Sequence, residues 1–97
     1  MRFDPSKATF SIVAADPETG EVGCAVQSKY FAVGNVVPWA RAGVGAVATQ
    51  AAGVAVYGRR ALEALAAGAS PEESIAATLA GDEQRETRQL GVVAADG

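Results

Sequence analysis

The sequence contains no histidine. That absence removes Ser-His-Asp and Cys-His nucleophilic mechanisms, imidazole-ligated metals and imidazole pH switches from anything this chain does alone. Cysteine is nearly absent too. Cys24 stands by itself, which excludes an internal disulfide and a cysteine-built zinc site. Cationic charge is scarce, with 8 Lys and Arg against 11 Asp and Glu and a formal net charge of −3. A nucleic-acid or anionic-membrane partner is therefore not expected, because no basic stripe is available to neutralise phosphates. Long hydrophobic runs are missing as well: residues 42–56 are a stretch of mostly small residues that falls short of the ~20 residues of a membrane helix and is rich in glycine. The opening Met1-Arg2-Phe3-Asp4-Pro5 lacks the apolar stretch of a signal peptide, so a cytoplasmic protein is expected.

What is present is apolar residues, 49% of a 97-residue chain, enough for one small folded domain. Residues 1–8 are polar, carry Pro5 and read as a leader or flexible arm, with the folded unit in residues 9–97. The chain turns β-prone at residues 9–15, and residues 16–20 (Asp-Pro-Glu-Thr-Gly) have the chemistry of a turn. A second β-prone run over residues 21–29 completes an expected hairpin. Neither strand alternates cleanly. Phe10, Ile12 and Ala14 share one face with Val13 and Ala15 on the other; Val22, Cys24 and Val26 lie opposite Gly23 and Ala25. Strands apolar on both faces belong to a sheet covered on both sides, so this one is expected to be a layer of a multilayer sandwich.

Gly34-Asn35 signals a turn, and residues 37–42 and 44–51 read as two short strands broken by Gly43, with Pro38 at an edge or a strand start. Trp39 is expected to pack in or over the core. A helix is expected over residues 57–67, with Leu62, Leu65 and Ala66 on its stripe and Gly68 just past its end. Ser70, Pro71 and Glu73 supply the N-cap, first-turn proline and capping-box partner of a second helix; Ile75, Ala76 and Leu79 form its expected buried stripe and Gly81 its stop. The charged residues 82–88 read as a solvated connection and residues 89–95 as a last strand. Asp96-Gly97 is a hairpin-turn signal with no returning strand, which suggests a larger fold cut inside a hairpin.

The polar inventory is thin, so its exceptions stand out. With residues 16–20 as the loop, Ala15 pairs with Glu21 and Thr9 lies opposite Gln27. Lys29 is then a diagonal neighbour on the same face, roughly 7–8 Å away. A slip of one residue brings Ser28 over instead. A hydroxyl near an ammonium can be an activated nucleophile. Without histidine, the smallest base for Thr9 is its own α-amine, of pKa ~7.7–8.0, if Thr9 heads the mature chain. Lys29 would hold that amine neutral and favour a developing oxyanion. The plainer reading is a β-branched residue opening one strand and a lysine ending another. Gln50, near a strand end, orients a substrate amide or caps backbone groups. Arg41 stacks on Trp39 or binds a carboxylate. Gly43-Val44-Gly45 lacks the third glycine and the following helix of a dinucleotide loop. Cys24 reads as a small inert hydrophobe. No metal and no cofactor are expected.

Taken together, four segments resemble the uncharacterised family DUF1028. They are residues 9–23 (Thr-Phe-Ser-Ile-Val-Ala-Ala-Asp-Pro-Glu-Thr-Gly-Glu-Val-Gly), 25–34 (Ala-Val-Gln-Ser-Lys-Tyr-Phe-Ala-Val-Gly), 37–51 (Val-Pro-Trp-Ala-Arg-Ala-Gly-Val-Gly-Ala-Val-Ala-Thr-Gln-Ala) and 88–93 (Arg-Gln-Leu-Gly-Val-Val). That family is grouped with the Ntn-hydrolase superfamily. The resemblance implies an α+β fold, an αββα sandwich of which this chain supplies about half: strands first, then two helices, then a strand. Residues 9–97 would be the N-terminal part of that domain. Ntn hydrolases cleave amide bonds with an N-terminal Thr, Ser or Cys whose own amine is the base. The resemblance thus implies Thr9 as nucleophile, with Lys29 and Ser28 as its charge and hydrogen-bond partners. Gln27 and Gln50 are the candidate substrate contacts, and the substrate is a small-molecule or peptide amide. A homo-oligomer, or association with the missing half of the fold, is expected. Eight residues precede Thr9 here, so its nitrogen is an amide until the Ala8–Thr9 bond opens. The alternative is a non-catalytic small-molecule-binding or assembly protein with the same fold.

Overall fold

The computed structural model describes residues 9–97; the segment read above as a leader lies outside the described residues. Strands β1 (Phe10–Ala15) and β2 (Val22–Gln27) form an antiparallel hairpin. Its turn is built by Asp16, whose Oδ1 accepts from the Glu18 N–H at 2.9 Å. The Asp16 N–H donates to the Glu21 carbonyl and the Asp16 carbonyl accepts from Gly20, both at 2.8 Å, with Gly20 at φ 78°. Asp16 therefore faces Glu21, the loop shortens to residues 17–20, and Ala15 pairs with Val22. This corrects the expected register by one residue: Phe10, not Thr9, lies opposite Gln27.

Strands β3 (Pro38–Arg41), β4 (Gly45–Gln50) and β5 (Gln89–Ala94) form a second antiparallel sheet in the order β3-β4-β5. The hairpin packs on one face of this sheet. Helices α1 (Val56–Ala66) and α2 (Pro71–Leu79) pack on the other. The fold is α+β, in the anticipated order of strands, two helices and a strand. Every residue of central strand β4 is buried. The core gathers Val47, Ala61, Leu62 and Leu65, flanked by Trp39, Leu90 and Val92, each large apolar side chain contributing about 1.5–3 kcal/mol when fully buried.

Two-sided cover is realised in β4 and not in the hairpin, contrary to expectation. Val13, Ala15, Cys24 and Val26 face the second sheet half-buried, while Phe10 is 68% and Ile12 64% exposed on the outer face. Both helices lie across the second sheet, so among the described residues nothing covers that outer face.

Helix α1 buries Tyr57, Gly58, Ala61, Leu62 and Leu65. Ala66, expected on this stripe, is exposed one step round the helix. Gly58 has a steric reason: a Cβ there would come within 2.2 Å of Cδ1 and Cγ of Trp39. The indole is fixed in turn by its Nε1–H, which donates to the Val36 carbonyl at 2.7 Å. Gly68, at φ 100°, stops the helix. In α2, Ser70 and Glu73 form the anticipated capping box, each bond 3.1 Å long, with Pro71 in the first turn. The buried face of α2 corrects the expected stripe. Ser74 and Thr78 are buried, Ile75 and Leu79 are half-buried, and Ala76 is exposed. The hydroxyls donate to the Pro71 carbonyl at 2.8 Å and the Ser74 carbonyl at 2.7 Å, so their polarity is met within the helix.

Residues 82–88 are not wholly a solvated connection. The side chains of Asp82 and Arg88 are only 9% and 13% exposed and form an ion pair of 2.9 Å, while residues 83–87 face solvent. At the last strand's end Gly97, at φ 93°, donates its N–H to the Ala94 carbonyl at 3.0 Å, the turn that Asp96-Gly97 foretold. No helix among the described residues is long and apolar enough to cross a membrane.

Candidate functional site

Three stretches distant in sequence converge at one end of the strands: the residue before β1, the last residue of β4 and the first of β5. Antiparallel pairing sets Gln50 directly opposite Gln89. Gln50 is 8% exposed, and a buried carboxamide must find partners for both its ends. Its Nε2 donates to Gln89 Oε1 at 2.7 Å and to the Thr9 carbonyl at 3.3 Å. Its Oε1 accepts from the Ser11 hydroxyl at 2.7 Å. These groups border a groove of about 310 Å³, walled by Thr9, Ser11, Gln50 and Gln89 together with Phe10, Ala48 and Gly91. Among the described residues no charged side chain lines it.

Thr9 is half-buried, and its Oγ1 lies 2.7 Å from Ser28 Oγ. Ser28 is fixed in turn by the Tyr30 N–H, which donates to its hydroxyl at 3.0 Å. The register explains the pairing: with Phe10 opposite Gln27, the next position outward sets Thr9 against Ser28 on the inner face. Strand alternation then sends Gln27 to the exposed outer face beside Phe10, and the structure does not bring it to Thr9. Lys29 is exposed on the bend after β2, and among the described residues it forms no hydrogen bond or ion pair with Thr9.

Of the anticipated site residues, then, Thr9, Ser28 and Gln50 come together and Gln27 and Lys29 do not. Ser11 and Gln89 belong to the cluster without having been singled out. Ser11 was recoverable, since it shares Thr9's strand face at a spacing of two. Gln89 requires the β4–β5 register, which two intervening helices hide from local reading.

Beyond Gln50 the backbone is strained. Ala51 and Ala52 stand at φ 56° and 59°, a left-handed conformation that costs an alanine about 1–2 kcal/mol. An ionic cluster holds this corner. Arg88 donates to the Ala52 carbonyl through Nη1 and to Asp82 through Nε, and Tyr57 donates its hydroxyl to Asp82 at 2.6 Å. Hydrogen bonds from Arg88 first, then from Tyr57 and the Gln84 N–H, hold the Asp82 carboxyl well below the usual carboxylate range. Its bond to the Asp82 carboxylate pushes the Tyr57 phenol up. Among the described residues the guanidinium groups over an aromatic ring are those of Arg60 and Arg88, 5.8 and 6.0 Å from the Tyr57 centroid. Arg41, exposed on β3, does not stack on Trp39. Cys24 directs its thiol to the Val47 carbonyl at 3.5 Å, and burial raises its pKa, consistent with an inert side chain. A second depression of about 560 Å³, at the other end of the strands between Pro17, Gly43, Leu65 and Ala95, is lined by no hydroxyl or thiol among the described residues.

Fold and site together define an α+β protein in which a threonine–serine pair stands at a groove lined by carboxamides and, among the described residues, by no charged side chain. The chain belongs to DUF1028, a family of unknown function whose pattern matches residues 9–97. It is similar to a DUF1028 protein from Silicibacter pomeroyi of known crystal structure. The two superpose with a TM-score of 0.83 at 35% sequence identity, covering 90% of this chain and 39% of that one. This chain therefore spans less than half the length of that relative. No curated protein matches it.

Proposed function

We propose that Thr9 is the nucleophile of an Ntn-type hydrolase acting on an amide bond. The observation that carries this reading is the Thr9–Ser28 hydroxyl pair of 2.7 Å at the edge of a groove, with the Thr9 carbonyl held by Gln50. A threonine hydroxyl in a strand needs no partner and no cavity; this one has both. The reaction requires that the Ala8–Thr9 bond be opened, which gives Thr9 a free amine. The Thr9 hydroxyl proton then passes to that amine while Oγ1 attacks the substrate carbonyl. Collapse of the tetrahedral intermediate expels the substrate's amine, which takes up the proton, and leaves an ester on Oγ1. Water, deprotonated by the same amine, cleaves the ester and restores the hydroxyl. Ser28 orients Oγ1, and Gln50 fixes the backbone that carries both the amine and the hydroxyl. Lys29, the residue after Ser28, contributes positive charge near this end of the strand without a hydrogen bond to Thr9.

The test is chemical. N-terminal sequencing of the cellular protein should find Thr9 first. An electrophilic β-lactone probe should add its acyl mass to Thr9, and Thr9→Val should abolish labelling while Thr9→Ser retains it. A mature chain that keeps Met1, together with undiminished amide hydrolysis by Thr9→Val, would refute the reading.

A further inference from the structure

The carboxamide relay in the groove has a fixed direction, and that direction specifies what the groove can hold. The Thr9 carbonyl can only accept, so the end of Gln50 that faces it must be the amino end, Nε2. The same Nε2 reaches Gln89 at 2.7 Å, so Gln89 must present its oxygen there. Its own amino group is thereby turned away from Gln50, and among the described residues it has no protein partner. At the other end Gln50 Oε1 takes the proton of Ser11, which leaves the Ser11 oxygen with only lone pairs to offer. Gln89, which lines the groove, thus keeps two N–H donors for a ligand and Ser11 an acceptor, in a wall that among the described residues carries no charged side chain.

We infer that this groove binds an uncharged carboxamide, either a peptide unit or a primary amide, carried by the substrate beside the bond that is cut. The inference rests on the amide-hydrolase reading for which bond is cut, but binding itself does not require that reading. A carboxamide matches both offers, its oxygen accepting from Gln89 and its N–H donating to Ser11. A carboxylate of the same shape meets Gln89 but has no proton for Ser11, and among the described residues no cation lines the groove to offset its desolvation. An ammonium group finds the Gln89 donors opposed to it. Gln89 is accordingly a specificity residue, although its side chain is polar, exposed and at the mouth of a strand.

Titration of the full chain with propionamide and with propionate, which differ only in carboxamide against carboxylate, followed by NMR of the side-chain amide groups, tests this. The amide should move the Gln89 NH2 signals and bind at least about tenfold more tightly than the acid, the factor expected when one good hydrogen bond is lost. Gln89→Glu keeps an acceptor for Gln50 and so preserves the relay, but should weaken the amide at least about tenfold; Gln89→Met, which is uncharged, should do the same. Equal affinity for the two probes, shifts confined to other residues, or no saturable binding of either probe would overturn the inference. Thr9→Val separates the two ideas: it leaves the Thr9 carbonyl and the relay intact, so amide binding should persist while β-lactone labelling disappears. Labelling without amide preference defeats the groove assignment alone; amide preference without labelling defeats the hydrolase reading alone.

Discussion

Gly58 provides a sharp test of the packing that sets β3 and β4 in place. In an exposed helix interior Gly→Ala gains about 1 kcal/mol, so helix propensity alone predicts that Gly58→Ala stabilises the protein. The structure predicts the opposite. The new methyl would lie 2.2 Å from two ring atoms of Trp39 and 2.5 Å from a third, and the indole has no easy retreat because its N–H is bound to Val36 at 2.7 Å. Overpacking of this kind costs about 1–3 kcal/mol, and loss of the indole bond adds about 0.5–1.5 kcal/mol. After the propensity gain, the expected net loss is about 1–3 kcal/mol. Urea unfolding followed by far-UV circular dichroism should show a lower midpoint for Gly58→Ala. In a Trp39→Leu background, where the ring is gone, the same substitution should become stabilising by up to about 1 kcal/mol. An unchanged or raised midpoint in the wild-type background, or a loss of equal size in both backgrounds, would refute the reasoning.

Two further outcomes follow from the corner beyond Gln50. Ala52→Gly relieves a left-handed alanine and should raise stability by about 0.5–1 kcal/mol after the entropy of the added glycine is counted; a lower urea midpoint would contradict the strain. The Asp82 carboxyl titrates lower in the folded protein than in the unfolded chain. Its contribution is therefore complete above the ordinary carboxylate value of ~3.9 and is lost as pH falls below it toward the depressed folded value. Urea midpoints should decline between pH 5 and pH 3 less steeply for Asp82→Asn than for the wild type, the Asn protein already being the weaker one at pH 7; parallel declines would show that the bonds from Arg88 and Tyr57 to Asp82 do not select the anion.

The features legible in the sequence are those caused by bonds between near neighbours. The Asp16 turn, the Ser70–Glu73 capping box and the Gly68 stop each close within a few residues, and each stands where the residues indicate. The hairpin register failed by one residue for a local reason of the same kind: Asp16 caps the turn with its side chain and pairs with Glu21 through its backbone at once. What stayed hidden depends on partners far along the chain. Ser74 and Thr78 look like a solvent face until it is seen that their hydroxyls are satisfied within α2. Asp82 and Arg88 look like part of a solvated charge run, and only Tyr57, 25 residues from Asp82, turns them into a buried cluster.

The candidate site divides along the same line. Thr9 and Gln50 each stand out as polar residues at strand ends, but neither residue reveals that they touch. Their contact exists because the hairpin lies face to face on the second sheet, which brings Ser11 and the Thr9 carbonyl to the last residue of β4. The Gln50–Gln89 bond then ties β5 into the same point. Thr9 is thus located by sheet-on-sheet packing and by β4–β5 pairing, and only secondarily by its own strand. A disturbance of the core that shifts β4 against the hairpin, such as the methyl at Gly58, should therefore alter the side-chain amide signals of Gln50 as well as stability. A surface change in the hairpin's outer face, such as Ile12→Thr, should leave those signals in place, because none of the four bonds that hold Gln50 and Thr9 runs through that face.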